Sequence, residues 1–170
     1  MLFRSNAVEG RRLLVDDSVV EIELELTDPG PFFRDLSAEL ECEFRYESSL
    51  SLEDGTTRML FVLREGDPDA VVDAVAKRDD VARVTHVTTG GGGSVLEFEV
   101  ERPPIVDPLA ARGAEVTALT AANGRVTLTA ELPASADTRA ILDGLTDRYP
   151  STALRARRER ERRTETKQEL

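Results

Sequence analysis

The chain has 170 residues, enough for one ordinary domain or for two small units that share a core, and 40% of them are hydrophobic. Acidic residues outnumber basic ones by 33 to 22, giving a net charge of −11, and no run approaches the roughly 18 apolar residues that a membrane helix needs. A single cysteine, Cys42, excludes an internal disulfide, and a single histidine, His86, leaves too few ligands for the usual Cys/His zinc sites.

Residues 1–17 form an N-terminal segment in which no signal-like apolar region follows Met1, so the cytoplasm is the expected location and no membrane partner is expected. Val20, Ile22, Leu24 and Leu26 then alternate with Glu21, Glu23 and Glu25, the period of two of a strand with one wet face. Asp28-Pro29-Gly30-Pro31 turns the chain, and Phe32, Phe33, Leu36 and Leu40 at helical spacing predict a short helix to about Glu41. Residues 42–50 and 57–64 read as a hairpin turning at Glu53-Asp54-Gly55. Asp67 and Pro68 supply a cap and a first-turn proline for a helix with Val71, Val72 and Val75 on one face, and residues 81–89 form a further strand.

After Gly90–Gly93 the same order begins again. Leu96, Phe98 and Val100 alternate with Glu97, Glu99 and Glu101, residues 103–112 can form a short helix, and residues 114–120 and 125–132 flank Asn123-Gly124, a strong hairpin signal. Ser135 can cap a helix carrying Ile141, Leu142 and Leu145, and residues 152–154 make a last short strand. The expected fold class is therefore α+β: two tandem ferredoxin-like, ACT-like β-α-β-β-α-β units with antiparallel or mixed sheets, followed by a helical connector. The expected division is an N-terminal segment 1–17, a first unit 18–89, a glycine linker 90–93, a second unit 94–154 and an Arg/Glu-rich connector 155–170. One continuous mixed sheet with helices on one face is the alternative.

No nucleophile, base and orienting acid can be assembled, so neither catalytic residues nor a cofactor or metal is expected. His86 reads as a partly buried strand residue and Cys42 as a buried small hydrophobe. Asp16-Asp17 and Asp79-Asp80 read as solvated surface in a chain this acidic. The glycine run lacks the Lys-Ser/Thr ending of a phosphate loop and reads as a flexible joint. Asp28, Pro29 and Gly30 are the candidate ligand-binding residues, because they lie between first strand and first helix and resemble the turn at which ACT-type regulatory domains bind amino acids. Pro103-Pro104 occupies the matching place in the second half without the glycine.

Only Lys77 and Lys167 are lysines, so twenty of the 22 basic residues are arginine. Abundant carboxylates with almost no lysine fit a halophilic source, where salt screens their repulsion; an acidic mesophilic protein from a GC-rich genome is the alternative. From Ser151 onward six Arg and one Lys face four Glu, a local charge of +3 that leaves −14 on the preceding residues. The body thus repels nucleic acid.

Tyr149-Pro150, then Ala153-Leu154-Arg155-Ala156-Arg157-Arg158-Glu159-Arg160-Glu161-Arg162 and residues 164–170, resemble haloarchaeal regulators related to the bacterio-opsin activator. In that family a domain of this length, sometimes preceded by GAF or PAS sensor modules, leads through an arginine-rich connector into a C-terminal helix-turn-helix. The resemblance implies a regulatory domain, acting as sensor or dimerisation unit, that is no enzyme. It would work as a homodimer with a small-molecule effector and touch DNA only through a helix-turn-helix outside this chain. The competing readings are an assembly module that binds no ligand, or a small-molecule enzyme.

Overall fold

The alternation of apolar and acidic residues places Val20, Ile22, Leu24 and Leu26 on one buried face of the first strand and Glu21, Glu23 and Glu25 on the other. The structure, a computed structural model, describes residues 18–161. Eight strands and four short helices follow one another in that span: β1 (Ser18–Leu26), α1 (Phe32–Leu40), β2 (Glu43–Ser51), β3 (Thr57–Glu65), α2 (Pro68–Val75), β4 (Arg83–Gly90), β5 (Gly93–Val100), α3 (Val106–Ala111), β6 (Glu115–Ala122), β7 (Arg125–Pro133), α4 (Thr138–Arg148) and β8 (Ala153–Glu161).

All eight strands join one sheet in the order β4-β5-β3-β2-β6-β7-β1-β8, and every neighbouring pair is antiparallel. The register aligns Ile22 with Ala130, Leu24 with Leu128, Phe44 with Ala121 and Phe61 with Leu96, so the buried positions share one face. The helices bury Phe32, Phe33, Leu36, Val71, Leu109, Ile141 and Leu145 against that face in one continuous core. Phe61 is its hub, its ring centroid 5.8 Å from that of Phe32, 5.4 Å from Phe33, 6.1 Å from Phe44, 5.5 Å from Tyr46 and 5.6 Å from Phe98. Such edge and tilted contacts add to the area each ring buries.

The two tandem ferredoxin-like, ACT-like units are thereby corrected to a single eight-stranded antiparallel sheet. β1 does not join β2, β3 and β4; it lies between β7 and β8, while β5 lies between β3 and β4. The alternation fixes which face of a strand is buried but not its neighbours, and β1 and β5 carry nearly interchangeable patterns. One merged core buries more surface than two separate cores of some 70 residues could. Gly90–Gly93 is the turn of the β4–β5 hairpin, with Gly90 opposite Gly93. Residues 153–161, expected to leave the sheet as a helix beyond Leu154, form the edge strand β8 along β1, with a bulge between Glu23 and Leu24. The N-terminal segment 1–17 and residues 162–170 lie outside the described span.

Local signals hold more closely. Asp67 caps α2, its carboxylate accepting from the Asp69 N–H at 3.0 Å, with Pro68 in the first turn. Asn123 (φ 52°) and Gly124 (φ 87°) both take the left-handed conformation of a two-residue hairpin turn. The Gly124 N–H donates to the buried Ser37 Oγ at 2.9 Å and Arg34 Nε donates to the Gly124 carbonyl at 3.1 Å, pinning this hairpin to α1. The cap of α4 is Asp137, accepting from the Ala140 N–H at 3.1 Å, rather than Ser135.

Gly93 tests the hairpin that replaced the linker. Its φ is +127°, and a Cβ there would lie 2.3 Å from the Leu63 carbonyl oxygen, whereas a Cβ on Gly91 meets nothing. Gly93→Ala is expected to cost about 2 kcal/mol or more and Gly91→Ala less than about 0.5 kcal/mol, measured by denaturant unfolding in molar KCl. Equal effects would mean that the glycine run is a joint after all.

Candidate functional site

Three connections converge at one end of the sheet: the turn from β1 into α1, the turn from β5 into α3, and the end of α4. They enclose a pocket of about 370 Å³ whose walls include Pro29, Gly30, Arg102, Pro103, Arg148 and Tyr149, with Asp80 at its side. Two of the three candidate ligand residues, Pro29 and Gly30, thus line a pocket, and the matching Pro103-Pro104 turn lies in the same one. Asp28 does not line it. The Asp28 carboxylate accepts from the Ser151 N–H at 2.8 Å and from the Ser151 hydroxyl, and Ser151 Oγ accepts from the Thr27 N–H at 2.8 Å.

The backbone of Gly30 is equally committed. Its N–H donates to Asp35 at 3.1 Å and its carbonyl accepts from Arg78 Nη2 at 3.2 Å. Arg78 also donates to Asp35 Oδ2 at 3.0 Å and, through Nε and Nη2, to both carboxylate oxygens of Asp80 at 2.8 Å. These bonds hold the Asp80 carboxyl below its usual range against the opposing effect of burial. What the pocket offers a ligand is therefore side-chain chemistry: the exposed Arg102 and Arg148, neither of which is in an ion pair among the described residues, and the Tyr149 phenol. Burial pushes the Tyr149 phenol up, although Arg148 beside it pulls the other way.

The Pro103–Pro104 wall is strained. Ile105, fully buried, sits at φ 68° and ψ −53°, and the Val106 N–H donates to the Pro104 carbonyl at 2.6 Å, a positive-φ γ-turn that is rare for a β-branched residue. Sequence reasoning singled out Pro29, Gly30 and the matching Pro103-Pro104 but not Arg102, Arg148 or Tyr149, which line the same pocket. No spacing links residues so far apart in the chain, and only the packing of α4 beside the two turns unites them.

A second opening, of about 550 Å³, lies where the sheet divides. β2 and β6 pair only from Glu43–Arg45 to Ala122–Thr120 and then part, leaving Tyr46, Ser49, Glu115 and Val116 on the walls. Tyr46 Oη and Ser49 Oγ are 2.5 Å apart there.

The open face of the sheet carries charge in columns. Glu25 meets Arg155 at 2.6 Å and Arg125, Glu21 meets Arg158 at 3.3 Å and Arg160 at 3.5 Å, and Arg160 also reaches Glu131. On the other half, Arg58 lies 3.6 Å from Glu97 and Arg83 3.7 Å from Glu99. Arg155, Arg158 and Arg160 of β8 are thus partners of β1, whereas Arg157 pairs with Glu159 within β8 at 3.6 Å. His86 lies on β4 but is exposed, its Nε2 2.8 Å from Thr89 Oγ1, and Cys42 is buried between α1 and β2. Asp79 is exposed, and Asp16-Asp17 falls outside the described residues. Among the described residues no group of three His, Cys, Asp or Glu side chains could hold a metal, and no helix is long and apolar enough to cross a membrane.

Among the described residues, fold and openings define a one-sheet α+β module. Residues 17–170 match the BAT family, described as the GAF and HTH_10 associated domain, and the chain belongs to that family. It is similar to a Haloferax volcanii protein named as a transcriptional regulator, 32% identical over 160 residues that cover 92% of this chain and 27% of that protein. It is also similar to the bacterioopsin transcriptional activator of Halobacterium salinarum, 28% identical over 147 residues that cover 85% of this chain and 22% of that protein. The chain spans about a quarter of the length of these relatives.

Two measurements test the electrostatics of the site. The folded pKa of Asp80 lies below its unfolded value, so its stabilisation is complete above the ordinary carboxylate range and fades as pH falls through the folded value. Asp80→Asn is expected to remove about 1 kcal/mol or less at neutral pH, since the pair is partly solvated, and to flatten the acid limb of a stability–pH curve below about pH 4. An unchanged acid limb would mean that the Arg78 clamp contributes nothing. Burial pushes the Cys42 thiol up to about 11, so iodoacetamide at pH 8 is expected to label it at least about a hundredfold more slowly in the folded chain than in the denatured one; equal rates would contradict its burial.

Proposed function

We propose that this chain is the regulatory domain of a haloarchaeal helix-turn-helix transcriptional regulator, that it works in the cytoplasm, and that it senses a small molecule while reading no DNA bases itself. The observation that carries the proposal is the clamp between Asp28 and Ser151. It joins the turn beside the pocket to the segment that enters β8, the strand that leads toward the chain's C-terminus. A change at the pocket then alters how β8 leaves the sheet, and a helix-turn-helix attached beyond it would be repositioned. Membership in the BAT family and the names of the two relatives support the regulatory part of this reading. The acidic, lysine-poor composition agrees with a haloarchaeal source.

Assembly as a homodimer belongs to the same proposal, because two helix-turn-helix units would then meet half-sites about one DNA turn apart. The sheet favours a second reading, an assembly module without ligand, through one observation: among the described residues β4 and β8 are edge strands, each paired on one side only. No catalytic role is part of either reading.

In-frame deletion of residues 18–161 from the gene is expected to change the transcript levels of a discrete set of genes; an unchanged transcript profile would overturn the regulatory reading. Light scattering and calorimetry of the protein in molar KCl then separate its two forms. A metabolite that raises the melting temperature by mass action marks a sensor, whereas a dimer indifferent to every compound marks an assembly module.

A further inference from the structure

We infer that the pocket between the two β–α turns is an effector site for a small dianion, a phosphate monoester or a dicarboxylate, held by Arg102 and Arg148. This rests on the regulatory reading above and names the ligand class of its site. The chain carries a charge of −11, and most arginines of its sheet are matched to glutamates. Arg102 and Arg148 are among the described arginines that no carboxylate pairs with, and both of them line one cavity. Asp80 at the pocket's side does not cancel them, because both of its oxygens are occupied by Arg78.

Two guanidinium forks lining one pocket match a group that carries two charges and several acceptor oxygens, whereas a monoanion would satisfy only one. The Tyr149 hydroxyl adds a donor, and Pro29, Pro103, Pro104 and Pro108 supply rigid apolar walls for a small organic body. About 370 Å³ falls in the usual range of small-molecule sites, roughly 300–1,000 Å³. Molar salt shortens electrostatic range to about 3 Å, so the acidic body ceases to repel an anion at a distance while contact with the forks persists.

The position of the pocket also says what binding does. A ligand that bridges the Gly30 side to the Arg148 side spans the turn from which Thr27 and Asp28 hold Ser151, two residues before β8 begins. Occupancy then reinforces the clamp and slows the opening of β8.

The test uses the protein in molar KCl with phenyl phosphate and succinate as probes of the two sources of dianion, and acetate as the monoanion control. One of the dianions is expected to shift the amide resonances of Gly30, Arg102 and Arg148 at millimolar concentration, with acetate at least about tenfold weaker. Arg102→Gln and Arg148→Gln are each expected to weaken that binding by about tenfold or more while circular dichroism and melting temperature without ligand stay unchanged. Ser151→Ala is expected to leave binding intact but to abolish the slowing of hydrogen exchange that the ligand produces in β8. Absence of any shift with either dianion, or shifts that survive both arginine substitutions, would overturn the proposal. Because these readouts involve no transcription, they fail independently of the gene-deletion experiment.

Discussion

The fold depends on where β1 lies. It is hydrogen-bonded to β7 on one side and β8 on the other, and its Ile22 and Leu24 are wholly buried. Without it, β8 would have no neighbour in the sheet and β7 would become an edge. The chain leaves β1 through the Asp28–Gly30 turn into α1, which carries Phe32 and Phe33 back to the Phe61 cluster in the other half of the sheet. One strand and one helix thus stitch both halves together, and β5 makes the reciprocal link by sitting between β3 and β4. Neither half owns a complete set of strands, so the core forms as a unit. The pairing of β1 with β8 closes over more than a hundred residues, a non-local contact of the kind that slows folding.

The same strand sets the electrostatics of the open face. Glu21, Glu23 and Glu25 point the same way along β1 and would repel one another if left alone. Arg125 from β7 and Arg155, Arg158 and Arg160 from β8 flank them on both sides. An isolated exposed pair of this kind contributes about 1 kcal/mol or less, but here Glu25 and Glu21 each serve two arginines and several side chains are fixed at once. Arginine suits the arrangement better than lysine because its planar fork can hold two partners, as Arg160 does with Glu21 and Glu131. The charges also leave β8 unattractive as a template for uncontrolled strand pairing, which an edge strand of apolar residues would invite.

Strand and helix positions were legible in the sequence because each rests on a local pattern: Glu alternation for β1 and β5, Asp67-Pro68 for α2, Asn123-Gly124 for the β6–β7 turn. The partnership of strands was not, since it is decided by contacts between residues that no spacing rule connects. β8 shows why most clearly. Arg and Glu at three- and four-residue spacing suit an exposed helix, but the same residues also alternate, and the column of glutamates on β1 selects the strand. The candidate site divides in the same way. Its turn residues Pro29 and Gly30 announced themselves, whereas Arg102 and Arg148 are ordinary surface arginines until α4 is packed beside the two turns. Asp28, expected with them, lies outside the pocket lining and accepts from Ser151.

No strand lines the pocket; apart from Pro108 on α3 and Arg148 at the end of α4 its walls are connections, and that bears on what it can transmit. A ligand shifts a conformational equilibrium only by the difference in its affinity for the two states. A site inside a regular element would change little between states, because the element moves as a body. Here the walls belong to the β1–α1 turn, the β5–α3 turn and the end of α4, so any shift of α4 against the sheet changes the distance between them. The γ-turn at Ile105 stores about 1–3 kcal/mol in one of those walls, enough to bias its position by roughly 5- to 150-fold if it relaxes in one state and not in the other. The opposite wall, Arg148 and Tyr149, runs within two residues into Ser151, which Asp28 holds. Strain on one side and the anchor of β8 on the other make the junction of the three connections the place where, on the proposed reading, occupancy of the pocket would act on β8.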